Sequence, residues 1–141
     1  MQYVDPIPDG DTSTATVYLA DDDLPALQRW DGQFRRMVHQ SYQLRGVEVS
    51  LSGTVEAHHG GLVLTSQDGR PQVELIPLDP GGKIQWDPAT QGPQAADPAE
   101  ADAYDTLTHA ADAAGSRAAT VTGPLRQTPA GYQLQVRLAE F

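Results

Sequence analysis

From Val47 to Ala57 apolar and polar residues alternate. Val47, Val49, Leu51, Gly53, Val55 and Ala57 share one face; Glu48, Ser50, Ser52, Thr54 and Glu56 share the other. A period of two over such a length predicts a half-buried strand. Leu62 and Leu64 continue the apolar face after "HHGG", and Val73 and Leu75 continue it after "SQDGRP". Further along, Ala119, Val121, Gly123 and Leu125 alternate. Then Tyr132, Leu134, Val136 and Leu138 do, with Gln133, Gln135 and Arg137 expected to face away.

Turn chemistry sets the register of the first three strands. A tight turn at His59-Gly60 would pair Ala57 with Leu62 and Val55 with Leu64. One at Asp68-Gly69 would pair Leu64 with Val73 and Leu62 with Leu75. Both place apolar side chains on one face, as cross-strand partners require. Asp-Gly favours a type I′ hairpin, whose central residues both need positive φ, and His tolerates that region. The last two strands join through "RQTPAG", whose register the sequence leaves open.

Between the third and fourth strands lies a helix over 98–114. Asp97 is its expected N-cap, Pro98 suits its first turn and Glu100 completes a capping box. Tyr104, Leu107, Ala111 and Ala114 form one thin apolar stripe, and Gly115 supplies the stop. A helix with so narrow a stripe caps a core rather than lying inside it. Residues 79–97 read as a Pro/Gly-rich loop, with a short strand at "KIQW". In the N-terminal part "TATVYLA" reads as a strand. Leu24, Leu27, Trp30, Phe34, Met37 and Val38 then recur like a helix face, with Asp22 or Asp23 to cap it. Gly32 interrupts that face, so the expected form is a short helix to Trp30, a turn at Asp31-Gly32 and a strand from Phe34; an unbroken helix is the alternative.

The order strand, strand, strand, helix, strand, strand resembles the OB-fold. The residues carrying the likeness are "VEVSLSGTVEA", "GLVLTS", "PQVELIPL", the helix from Pro98 to Ala114 and "ATVTGPL…YQLQVRLAEF". Gly53 stands where the long first strand of such barrels bends. The expected architecture is therefore mainly β with α. Residues 45–141 form a five-stranded OB-like Greek-key barrel, and residues 1–44 an acidic extension whose strand and helix pack on it. A different small barrel or a sandwich fits the same run of strands. The resemblance also implies a binding face on the outer side of the second and third strands. Here that face carries Val63, Thr65, Gln72, Glu74 and Ile76, rimmed by His58, His59, Arg126, Gln127 and Thr128.

Charge narrows the partners. The chain has 141 residues, no cysteine and a formal net charge of −10. Disulfides and thiol chemistry are excluded. Bases concentrate at Arg29, Arg35, Arg36 and Arg45, and again at Arg117, Arg126 and Arg137. Single-stranded nucleic acid needs stacking aromatics and a cationic groove, and the expected face offers a carboxylate and no aromatic. Val63 and Ile76 suit a protein contact, or cover by the N-terminal segment through Trp30 and Phe34. "RWDGQFRRMVH" is rich in the residue types of interface hot spots, but the reading preferred for it is a solvated basic face beside a core-facing Trp.

Catalytic signals are missing from the residue pattern. No GxSxG elbow, P-loop or HExxH spacing occurs. His39, His58, His59 and His109 fall on separate elements or at a turn, and adjacent strand residues point to opposite faces, so no metal site is expected. "DPIPDGD" and "ADDDL" lack the ligand spacing of a calcium loop and read as acidic loops and a cap. No cofactor is expected.

No stretch approaches the roughly 18 apolar residues of a membrane span. The N-terminus lacks a signal-peptide pattern. The chain is expected in the cytoplasm, or in the periplasm or outside the cell if a signal has been removed. A lone Lys amid many Ala, Gly, Pro, Asp and Arg suits a GC-rich bacterial genome. The expectation is a non-catalytic module that meets another protein, as an accessory, assembly or envelope-associated component of a bacterium or phage. The rivals are a single-stranded nucleic-acid binder, and a ligand-binding barrel or hydrolase built on His39, Asp31 and Ser41.

Overall fold

Alternating strands bury one face only if the sheet finds a cover, and here the sheet covers itself. The computed structural model describes residues 3–9, 12–18, 24, 26–37, 46–66 and 72–141. In chain order the elements are β1 (Tyr3–Asp9), β2 (Thr12–Tyr18), α1 (Leu27–Met37), β3 (Glu48–His58), β4 (Gly61–Thr65), β5 (Gln72–Pro77), β6 (Trp86–Asp87), β7 (Gly92–Pro93), α2 (Pro98–Ala114), β8 (Ser116–Thr128), β9 (Gly131–Val136) and β10 (Leu138–Glu140).

Strands β3, β4, β5, β9 and β8 close into a barrel. All neighbours run antiparallel except β5 and β9, which are parallel. With α2 between β5 and β8, this is the strand order of an OB-like Greek-key barrel. The pairings are those that the turn chemistry predicts: Val55 with Leu64, Ala57 with Leu62, Leu64 with Val73 and Leu62 with Leu75. Residues 67–71, which hold the Asp68-Gly69 turn, lie outside the described residues.

The core follows from that register. Val55, Leu62, Leu64, Val73, Leu75, Val121, Leu134 and Val136 pack with Ala103, Leu107 and Ala111 of α2. Each buried Leu or Val contributes about 1.5–3 kcal/mol relative to exposure. Asp97 caps α2 as expected. Its carboxylate accepts from the Glu100 N–H at 2.8 Å, and its own N–H donates to Glu100 Oε1 at 3.1 Å. The buried stripe runs through Ala103 rather than Ala114, which is exposed.

The end of the barrel departs from simple alternation. Leu134 pairs with Leu125 and Leu138 with Thr122, so three residues on one strand oppose two on β8. That is a β-bulge, and one extra residue turns every later side chain over. Leu138, expected inside, is 40% exposed, and Ala139 packs inward instead. Gln135 and Arg137, expected to face solvent, are instead withdrawn from it, Gln135 on the outer face beneath the loop at Asp79 and Gly82, and Arg137 in an ion pair with Glu48. Gln135 is buried and accepts from the Asp79 N–H at 2.9 Å.

Two glycines permit these close approaches. A Cβ on Gly123 would overlap the Gln135 carbonyl in the bulge, and one on Gly53 would overlap the Thr65 carbonyl at the bend of β3.

The N-terminal elements also differ from expectation. Strand β2 overlaps the predicted stretch but starts two residues earlier, at Thr12, and its partner β1 comes from the segment read as an acidic loop. Pro6 and Pro8 fit there because a two-stranded ribbon leaves each strand one open edge, and alternate positions direct both missing N–H groups to the same side. Helix α1 continues through Asp31-Gly32 rather than breaking. The apolar period carries the helix across Gly32 at a cost of about 1 kcal/mol. Leu24 packs against the barrel core. Val38, the candidate caps Asp22 and Asp23, and the rest of "ADDDL" lie outside the described residues. The long loop holds the small β6–β7 ladder, which starts at Trp86 and not at Lys83.

Lys83 instead enters a buried ion network. Arg137 grips Glu48 through two bonds, Nη2 to Oε1 at 2.5 Å and Nε to Oε2 at 2.8 Å. Its Nη1 reaches Glu100 Oε2 at 2.9 Å, and Lys83 Nζ reaches Glu100 Oε1 at 2.8 Å. Gln85 Nε2 adds a bond to Glu48 at 3.3 Å. Two acids and two bases balance, so no net charge is buried. The hydrogen bond from Lys83, with those from Asp97 N–H and Arg137, holds the Glu100 carboxyl at about 2, against the opposing pull of burial. The Glu48 carboxylate likewise raises the affinity of Arg137 for its proton.

Two outcomes follow for stability. Gly53→Ala and Gly123→Ala should each cost about 3 kcal/mol or more, since backbone rather than a mobile side chain blocks the added methyl. Urea denaturation measures this, and unchanged midpoints would refute the close approach. Glu100→Gln leaves buried Lys83 without its carboxylate and Arg137 with Glu48 alone, and should cost about 3 kcal/mol. Because the Glu100 pKa is lowered from 4.5 to about 2 on folding, its pairing stabilises the fold above pH 4.5 and that contribution fades as pH falls toward 2. The urea midpoint of the wild type should drop across that window more steeply than that of Glu100→Gln.

Candidate binding face

Two exposed histidines mark one end of the face. His59 has φ 49° and Gly60 φ 82°, the pair of positive angles of a type I′ turn, and His58 pairs with Gly61. The rings of His58 and His59 lie 4.1 Å apart at 52°. Among the described residues no three His, Asp or Glu side chains gather as a metal site. His109 sits on α2 with Nδ1 2.7 Å from the Asp105 carbonyl. His39 and Ser41 lie outside the described residues, so of the proposed trio only Asp31, on α1, is placed.

The outer side of β4 and β5 assembles the expected central residues. Val63 stands opposite Glu74 and Thr65 opposite Gln72, while Ile76 is level with Gln135 on β9. Val63, Thr65 and Ile76 are half-buried; Gln72 and Glu74 are exposed. Gln133 on β9 donates from Nε2 to Glu74 Oε2 at 2.8 Å, which fixes the orientation of the carboxylate. Burial pushes the Tyr104 phenol of α2 up, and the charges of Asp105 and Glu74 add to the shift.

Beside Glu74 the surface dips into a hollow of about 190 Å³, lined by Val63, Gln72, Glu74, Thr128, Ala130, Gly131 and Tyr132. The loop at Pro129-Ala130 is the tight connection that pairs Thr128 with Gly131. Thr128 Oγ1 donates to the Gly131 carbonyl at 3.0 Å and braces it. Tyr132 is the residue of the candidate face that sequence reasoning missed. It was expected wholly inside, with Leu134 and Val136. At the barrel's end it packs on the core and also forms the lip of the hollow. A fixed register for the β8–β9 hairpin would have revealed it.

The rim residues divide. Thr128 joins the hollow. Arg126 turns to Asp79, Nη2 to Oδ2 at 3.2 Å, in an exposed pair worth little energy. Gln127 is exposed. The histidine turn begins β4 at Gly61, whereas Thr65 ends it beside Gln72. By the parallel register Gln72 is level with Gly131. The histidines and the Thr128 turn therefore bound opposite ends of the face.

A second hollow of about 270 Å³ lies between β3, β8 and β10, lined by residues that include Gly53, Ala118, Glu140 and Phe141. Beside it Ser50 pairs with Thr122 and Ser52 with Thr120, each hydroxyl pair at 2.7 Å. The Arg117 guanidinium lies 5.3 Å from the centre of the Phe141 ring. This surface exists only because the bulge brings β10 beside β8.

Comparison of the chain with protein-family models, with curated proteins and with solved structures returned no match. Among the described residues no helix is long and apolar enough to cross a membrane.

Proposed function

We propose that this chain is a non-catalytic binding module that meets another protein through the outer face of β4 and β5. The observation that carries this reading is the pair Val63 and Ile76, half-exposed apolar side chains on the face of Glu74, with Val63 directly across from it and also lining a hollow with Tyr132. An apolar patch with oriented polar groups is the chemistry of a small protein contact. In this reading the partner belongs to an assembly in a bacterium or phage, in which the chain is an accessory component.

A single-stranded nucleic acid is the second reading, and Tyr132 is the observation in its favour, since a base can stack on a ring. Glu74 beside that ring and the net charge of −10 oppose a phosphate backbone.

Photo-crosslinking tests both. A photoreactive residue at Val63 should give discrete protein adducts in an extract of the host cell, while the same group at exposed Asp112 on α2 should not. Equal adducts at both positions, or none at Val63, would sink the face. Labelled oligonucleotides at low salt should show no salt-sensitive binding at micromolar protein, and saturable binding there would favour the second reading.

A further inference from the structure

We propose that the hollow beside Glu74 receives a basic side chain, Lys or Arg, from an extended segment of the partner protein. This rests on the reading that the β4–β5 face meets a protein, and it names the chemistry of the partner.

Size is the first argument. A hollow of about 190 Å³ is smaller than the roughly 300–1,000 Å³ of sites that engulf a small molecule, so it fits one side-chain end. Charge is the second. Among the described residues that line it, Glu74 is the carboxylate and none is Lys or Arg. The nearby Arg126 is matched with Asp79 and does not neutralise it. Gln133 takes Glu74 Oε2 and so holds the carboxylate in one orientation beside the hollow. A carboxylate braced in this way offers a cation a fixed partner.

Tyr132 supplies the third argument. A tyrosine in the lining of a carboxylate-bearing hollow can add cation–π attraction for an ammonium or guanidinium. Gln72 and Thr128 complete a polar wall. A purely apolar anchor would strip water from Glu74 and Gln72 without giving them a partner, which is costly. At longer range the charge of −10 steers a basic segment toward the surface and repels an acidic one.

The test uses amide-resolved NMR on the full chain with three capped tripeptides, Gly-Arg-Gly, Gly-Lys-Gly and Gly-citrulline-Gly. Citrulline keeps the shape of Arg and removes its charge. The two basic peptides should give saturable shifts at the amides of Val63, Gln72, Glu74 and Tyr132, and the citrulline peptide should not. Glu74→Gln should weaken binding about tenfold. Tyr132→Phe should leave it unchanged, and Tyr132→Leu should weaken it several-fold while the spectrum stays dispersed. Shifts spread evenly over the acidic surface, equal binding of the citrulline peptide, or unchanged binding by Glu74→Gln would each overturn the inference. Val63 photo-adducts that are indifferent to Glu74→Gln would also overturn it while leaving the contact face intact.

Discussion

Arg137 holds this barrel together at the point where its strands would otherwise part. Its guanidinium joins Glu48 at the start of β3 to Glu100 in the first turn of α2, and Glu100 passes the link to Lys83 in the long loop. Four segments far apart in the chain meet in one charge-balanced cluster. Burying ions is costly, and well-placed partners offset that cost without adding much net stability. The contribution of the cluster is positional. An apolar contact would tolerate a helix that slides, whereas a Glu100 carboxylate bonded by Lys83 on one oxygen and by Arg137 on the other does not.

The cluster needs Arg137 to turn inward, and the bulge is what turns it. One extra residue between Leu134 and Leu138 sends Arg137 toward Glu48 and Leu138 out to solvent. The bulge in turn needs Gly123, because any side chain there meets the Gln135 backbone. Gln135 then secures the loop through the Asp79 N–H, and Asp79 occupies Arg126. A single backbone irregularity thus organises the closed end of the barrel and sets Asp79 beside Arg126 at the edge of the face.

What remains on that face is a small set of oriented groups. The barrel buries Leu62, Leu64, Val73 and Leu75 and so presents Val63, Thr65, Gln72 and Glu74 on the other side. Rigid strands hold these side chains at fixed spacing. The β8–β9 hairpin adds Tyr132 and Thr128 from one end only. The proposed protein contact through this face and the proposed receipt of a basic side chain in its hollow share one logic, in which a negative, partly apolar surface selects its chemical opposite.

Local chemistry alone determined the meander, the helix and their register. Period-two alternation marks a strand, His59-Gly60 adopts the positive angles of its turn, and Asp97 with Glu100 closes a capping box; each depends on residues within a few positions of one another. The central residues of the face were legible for the same reason, because a register implies its outer side. The continuous α1 was less so, since Asp31-Gly32 resembles a turn and the apolar stripe prevails over it. Strand β1 was hidden by prolines, which are acceptable there because the ribbon leaves β1 an open edge. The bulge, the inward Arg137, the ion network and Tyr132 at the lip were decided by tertiary structure. Each depends on which backbone passes within a few ångströms of which, and residues such as Glu48 and Arg137, at opposite ends of the barrel sequence, carry no local sign that they will meet.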